Sequence, residues 1–186
     1  MGSPGVNVRP LREANGGYLF NEVFLDDVFV PDELIVGAPG DGWRLARTTL
    51  GNERVSIGLG RSGPAATPAR LAAALGVGGP AVTRDVGRLT GWQSATEAMA
   101  RRGLLARLSG MQPGAEGSVL KLMSSVISAD IRRAALGWAG PAAVVAGGAG
   151  GAAQAYLSVP PTLIGGGTSE IQLNVIAERV LGLPRG

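Results

Sequence analysis

The chain has 186 residues, of which 45% are hydrophobic and 17% charged, with a formal net charge of +3. That length supports one good core, or one domain with a fragment of another, and so weak a charge without a basic cluster argues against nucleic acid as a partner. Cysteine and histidine are both absent. This excludes a disulfide framework, a thiol nucleophile, an imidazole base and a His/Cys metal site, and leaves acid–base chemistry to carboxylates, tyrosines, arginines or a cofactor.

The N-terminus, Met1-Gly2-Ser3-Pro4, lacks the basic-then-apolar pattern of a secretory signal, so a cytoplasmic protein is expected. Strand-like material follows at once. Val6-Asn7-Val8-Arg9-Pro10, Tyr18 to Leu25 and Val28-Phe29-Val30 are rich in aromatic and β-branched residues, with Asn15-Gly16-Gly17 as a turn signal. Two or three strands do not make a stable sheet alone. Residues 1–36 therefore read as the terminal strands of an incomplete β domain.

From Asp41 the pattern becomes helical, and residues 37–186 read as a helical bundle domain. Trp43, Ala46, Leu50, Glu53 and Ile57 recur at spacings of three and four, giving a face that is apolar except at Glu53. A second helix is predicted from about Thr83 to Leu108. A third, from about Glu116 to Trp138, carries Val119, Met123, Val126, Ile127 and Ile131 on its apolar side and Lys121, Ser125, Ser128 and Arg132 on its polar side. Ala134 to Glu170 lacks charge before its final residue, but Pro141, Pro160, Pro161, Gln154 and paired glycines break it. It reads as a glycine-rich loop with short helical turns, not as a membrane span.

The last helix has the clearest punctuation. Ser169 and Gln172 form a capping-box pattern, and Arg179, Gly182 and Pro184 are stop signals. Four principal helices are expected, in a mainly α four-helix bundle preceded by a short β-strand remnant.

Three groups of residues carry a family resemblance. The run from Asn21 to Pro31, N-E-V-F-L-D-D-V-F-V-P, resembles the closing strands of the middle β domain of acyl-CoA dehydrogenases. Gly40-Asp41-Gly42-Trp43 resembles the start of the first helix of their C-terminal domain, and Gly167-Thr168-Ser169-Glu170-Ile171-Gln172 with Ala177-Glu178-Arg179 resembles its last helix. The resemblance implies FAD-dependent α,β-dehydrogenation of an acyl-CoA thioester in fatty-acid or sterol side-chain catabolism. A carboxylate removes the α-proton, the β-hydrogen leaves as hydride to FAD, and the electrons pass to an electron-transferring flavoprotein.

Many members of that family take their base from a Tyr-Glu-Gly-Thr sequence before the last helix. The corresponding residues here are Gly165-Gly166-Gly167-Thr168, and Gly166 cannot abstract a proton. In the isovaleryl and long-chain branches the base lies on the first helix of the domain, immediately before an arginine, and Glu53-Arg54 occupies that place. Glu53 is thus either the base or a carboxylate paired with an arginine at a helix contact; the glycine at 166 and the adjacent Arg54 favour the base. Arg54 matches an arginine of the acyl-CoA pocket, with an ion pair in the bundle as its other role.

Gly166 and Gly167 match backbone beside the substrate, with Gly166 offering an N–H to the thioester oxygen. Thr168, Ser169 and Glu170 match a segment at the FAD adenosine portion, besides capping the helix. The R-x-T-F-G motif of many members has no counterpart between Arg61 and Trp92. Gly147 to Gly151 stands either for a loop reaching a neighbouring subunit's FAD or for a linker. The resemblance covers a C-terminal portion of the family fold, so two functions are expected: the truncated C-terminal portion of an acyl-CoA dehydrogenase, or a non-catalytic helical subunit completing an FAD site in a homo- or hetero-oligomer.

Overall fold

The computed structural model describes residues 2–58, 67–111, 114–145 and 151–185, and for 51, 52 and 54–58 the helical backbone only. The chain divides into two compact units, Met1–Thr49 and Leu50–Gly186.

In the first unit β1 (Val6–Leu11) pairs antiparallel with β2 (Phe20–Leu25), in a register that runs from Val6 opposite Leu25 to Leu11 opposite Phe20. The turn between them forms where the Asn-Gly-Gly signal places it. Gly16 takes a φ of 86°, and the Asn15 Oδ1 accepts the Gly17 N–H at 2.7 Å, a local side-chain turn that asparagine favours. Glu13 completes it by accepting the Leu19 N–H at 2.5 Å. Phe20, Val23, Phe24 and Leu25 remain exposed on this two-stranded ribbon, as expected of a pair of strands with no further sheet.

Helix α1 (Gly42–Gly58) begins after Asp41, whose carboxylate bonds Arg44 at 2.9 Å. Trp43, Ala46, Leu50 and Glu53, the described members of its repeating face, are all exposed; Ile57 contributes only backbone to the described residues.

In the second unit α2 (Pro68–Ala74) starts at Thr67, whose hydroxyl accepts the Arg70 N–H at 3.3 Å. This short helix was not expected from the sequence; a threonine cap, a proline at the first helical position and an alanine run are sufficient to form it. The long helices α3 (Pro80–Leu108) and α4 (Glu116–Ala139) pack together. Trp138 Nε1 donates to Asp85 across that contact at 3.4 Å. After α4 come the short helices α5 (Ala152–Leu157) and α6 (Val159–Ile164), then α7 (Ser169–Val175), which widens into a π turn over Ile176–Val180. Short helices in the uncharged segment, and a stop at Gly182 with φ 69°, agree with the sequence signals. The mainly α bundle preceded by two short strands is the fold class expected.

The sides of α4 require correction. Ser118, Lys121 and Ser125 are buried while Val126 is exposed. The cause is position: α4 touches α2, α3, α5, α6 and α7, so it has no broad solvent face for the polar residues to occupy. Serine and alanine along it allow neighbouring helices to approach, and a two-sided amphipathic pattern no longer identifies the inside. Among the described residues no helix is long and apolar enough to cross a membrane.

Candidate active site

The Gly165-Gly166-Gly167 segment forms the turn between α6 and α7. Its entry is fixed by two backbone bonds, Gly165 N–H to Pro161 at 2.9 Å and Gly167 N–H to Ile164 at 3.0 Å. Gly166 and Gly167 have φ values of 70° and 106°, a region that side chains disfavour. At Gly167 there is a second constraint, since a Cβ there would lie 2.6 Å from Gln172 Nε2. This position needs glycine both for its backbone angle and for its space.

Under the turn lie two fully buried polar side chains, Lys121 from α4 and Gln172 from α7. Lys121 Nζ donates to the carbonyls of Leu163 at 3.2 Å and Gly167 at 2.7 Å. Gln172 Nε2 donates to those of Gly166 at 2.9 Å and Gly167 at 3.3 Å. Among the described residues Lys121 has no carboxylate partner, and burial pushes its ammonium pKa below the usual lysine range. The Gln172 Oε1 is buried without a hydrogen-bond partner among the described residues.

The capping of α7 differs by one residue from the capping-box pattern. Thr168, not Ser169, is the N-cap, with extended ψ of 167° and its hydroxyl accepting the Ile171 N–H at 3.4 Å. Gln172 is therefore not at the capping-box position, and its amide turns inward to the glycine carbonyls instead. Glu170 is exposed in the first turn of α7, and the Thr168 hydroxyl, followed by its own backbone N–H, holds its carboxyl below the usual range.

The structure thus brings Gly166, Gly167, Thr168, Ser169 and Glu170 together on one partly exposed turn. Glu53 stands on α1, exposed, and makes no hydrogen bond or ion pair with any described residue. The side chain of Arg54 lies outside the described residues, as do Gly147 to Gly150. Lys121 and Gln172 were missed as site residues. A signal did exist for the first: it is the single lysine of a chain with sixteen arginines, and a compact ammonium suits a buried point contact that a planar guanidinium does not. Among the described residues no cluster of three or more His, Cys, Asp or Glu is placed to hold a metal ion.

Residues 40–181 match the family described as acyl-CoA dehydrogenase, C-terminal domain. The chain is 43% identical over 192 aligned residues to acyl-CoA dehydrogenase FadE34 of Mycobacterium tuberculosis, covering 100% of this chain and 26% of that protein. It is 37% identical over 191 residues to acyl-CoA dehydrogenase IpdE1 of Mycolicibacterium smegmatis, covering 100% of this chain and 48% of that protein. It therefore spans between about a quarter and a half of the length of these two relatives. The fold is also that of the solved Tcur3481-Tcur3483 steroid ACAD, with a TM-score of 0.79 at 22% identity over 99% of this chain and 50% of that one. With this turn, this helix order and these matches, the chain belongs to the acyl-CoA dehydrogenase family, of which residues 40–181 are the C-terminal domain.

Proposed function

We propose that the chain supplies the C-terminal part of an FAD-dependent acyl-CoA dehydrogenase in which Glu53 is the base. The observation that carries this reading is the pairing of Gly166, which has no side chain to react, with Glu53, an exposed carboxylate unspent on any described partner. A thioester's α-proton is weakly acidic. Its removal needs a carboxylate in a pocket that becomes desolvated when substrate binds, together with donors aimed at the thioester oxygen where negative charge develops.

In this reading the electron pair of the broken α-C–H bond forms the new double bond as the β-hydrogen departs with its own pair, and the proton rests on Glu53. FAD, when bound, supplies the acceptor for that hydride, and an electron-transferring flavoprotein reoxidises it. Gly166 and Gly167 present bare backbone to the thioester, and Arg54 lines the acyl-CoA pocket. Thr168, Ser169 and Glu170 offer two hydroxyls and an exposed carboxylate on one short turn. That donor and acceptor set fits the ribose and adenine of a dinucleotide rather than an isoalloxazine ring. Residues 1–36 are assigned to the closing strands of the β domain that would cover the ring.

A second reading has specific support. Solved structures with this fold include complexes of two different chains, among them one described as the ChsE4-ChsE5 complex from Mycobacterium tuberculosis, with a TM-score of 0.72 at 21% identity. Here Leu104, Leu105, Leu108 and Met111 at the end of α3, and Leu181 and Leu183 at the C-terminus, are exposed. Apolar surface of this extent suits an oligomer, homomeric or with an unlike chain. A steroid-bearing acyl-CoA is then the favoured substrate class, by likeness to the steroid ACAD named above.

The test is incubation of the purified protein, alone and with a candidate partner chain, with fatty-acyl and steroid-side-chain CoA thioesters and an artificial electron acceptor. Mass spectrometry should find a product lighter by two hydrogens. If flavin is bound and no thioester of either class is desaturated, the reading is wrong.

A further inference from the structure

Lys121 and Gln172 take no part in the reaction just proposed, yet among the described residues every hydrogen bond from their Nζ and Nε2 atoms ends on the glycine turn or on the end of α6 that leads into it. The acceptors are the carbonyls of Leu163, Gly166 and Gly167. Three consecutive glycines have more backbone freedom to lose than any other tripeptide. The bonds from Gly165 and Gly167 to α6 hold the N–H side of the turn, and the two buried side chains donate to the carbonyls of Gly166 and Gly167. Because a trans peptide is planar, fixing these carbonyls also fixes the Gly166–Gly167 and Gly167–Thr168 peptide planes, and so the C-terminal flank of Gly166, whose own N–H faces the thioester in the reading above.

Burying an ammonium among neutral groups costs stability that a well-packed apolar side chain would not cost. A buried lysine with two carbonyl acceptors is therefore poorly explained by stability alone. We propose that Lys121 and Gln172 are positioning residues: together they hold the glycine turn in one conformation, so that its backbone meets the thioester oxygen without a side chain at 166 to pack it in place. This rests on the acyl-CoA reading above. Lysine suits the task because its three donors converge from a compact head, and Gln172 reaches the same carbonyl from the opposite helix.

The test compares Lys121→Met and Gln172→Met, which keep length and remove the donors, with Leu89→Ala, a buried residue of α3 remote from the turn in sequence and chemistry. In the full chain without ligands, hydrogen exchange at the Gly165 and Gly167 amides should rise about tenfold or more relative to amides in the middle of α4. In Leu89→Ala any rise should be shared across the bundle. In the assembled flavoprotein kcat should fall about tenfold or more while KM stays within roughly threefold. If Lys121→Met does not fold, Gln172→Met carries both measurements.

An exchange pattern in the two methionine variants that matches Leu89→Ala overturns the proposal, as does a loosened turn with unchanged kcat. The exchange measurement needs no acyl-CoA, so the two failures separate. A wild type that has a protected turn but desaturates no thioester would remove the reaction and with it the positioning role, leaving Lys121 and Gln172 as structural contacts.

Discussion

Lys121 on α4 and Gln172 on α7 donate to one and the same carbonyl, that of Gly167, at 2.7 and 3.3 Å. Two helices distant in sequence are thereby joined through the backbone of the turn that precedes one of them. Groups that share an acceptor do not contribute independently. In a double-mutant cycle with Lys121→Met and Gln172→Met, urea unfolding should give a coupling energy of roughly 0.5–3 kcal/mol. Strict additivity would show that the shared carbonyl couples nothing.

The buried lysine also sets a pH dependence. Its folded-state pKa lies below the ordinary 10.5 because burial disfavours the ammonium, so between the two values the unfolded chain binds more protons than the folded one. Stability therefore rises with pH through that window, and the full cost of the buried charge is felt below it. The difference in unfolding free energy between wild type and Lys121→Met should shift in favour of wild type as pH is raised from neutral toward 10.5. A pH-independent difference would show that the lysine is not desolvated.

Two glycines predict opposite outcomes. Gly167 has φ 106° and no room for a Cβ beside Gln172, so Gly167→Ala should destabilise by about 1–3 kcal/mol. Gly137 lies in α4 with nothing within 4 Å of a Cβ built on it, and Gly137→Ala should stabilise by about 0.4–1 kcal/mol by restricting the unfolded chain. Thermal or urea unfolding of the two variants checks both signs.

At Thr168 a capping effect should be measurable. Thr168→Val removes the acceptor for the Ile171 N–H and should cost about 1 kcal/mol. The same change removes the hydroxyl that holds the Glu170 carboxyl below 4.5. A depressed carboxylate contributes stability that is present above its unfolded pKa and lost as pH falls through the folded one. The stability gap between wild type and Thr168→Val should therefore narrow as pH falls below 4.5, read from urea midpoints across an acid series.

The long helices, the hairpin turn at Asn15-Gly16-Gly17 and the stop at Gly182 were legible because each rests on local chemistry: periodicity, an Asx turn and a left-handed glycine. Glu53 and the residues from Gly166 to Glu170 were singled out by motif resemblance, and their roles belong to the proposal. The inside of α4 was not. Its polar stripe of Lys121 and Ser125 looks like a solvent face, and becomes an interior one only because helices from both ends of the domain close over it. Gln172 was misread for a related reason. The capping-box spacing from Ser169 was sound as a pattern, but the extended residue turned out to be Thr168, and a shift of one position sends the glutamine inward. Packing partners far apart in sequence decided both cases, and local spacing does not encode them.

Anaerobic rapid mixing of the assembled flavoprotein with a desaturable acyl-CoA distinguishes a base on α1 from one elsewhere. In wild type the oxidised flavin absorbance should bleach in a single turnover. In Glu53→Gln the flavin should remain bound and its spectrum intact, with bleaching slowed by about a thousandfold or more, since an amide cannot accept the α-proton. Bleaching of Glu53→Gln at the wild-type rate would contradict the account and place the base elsewhere.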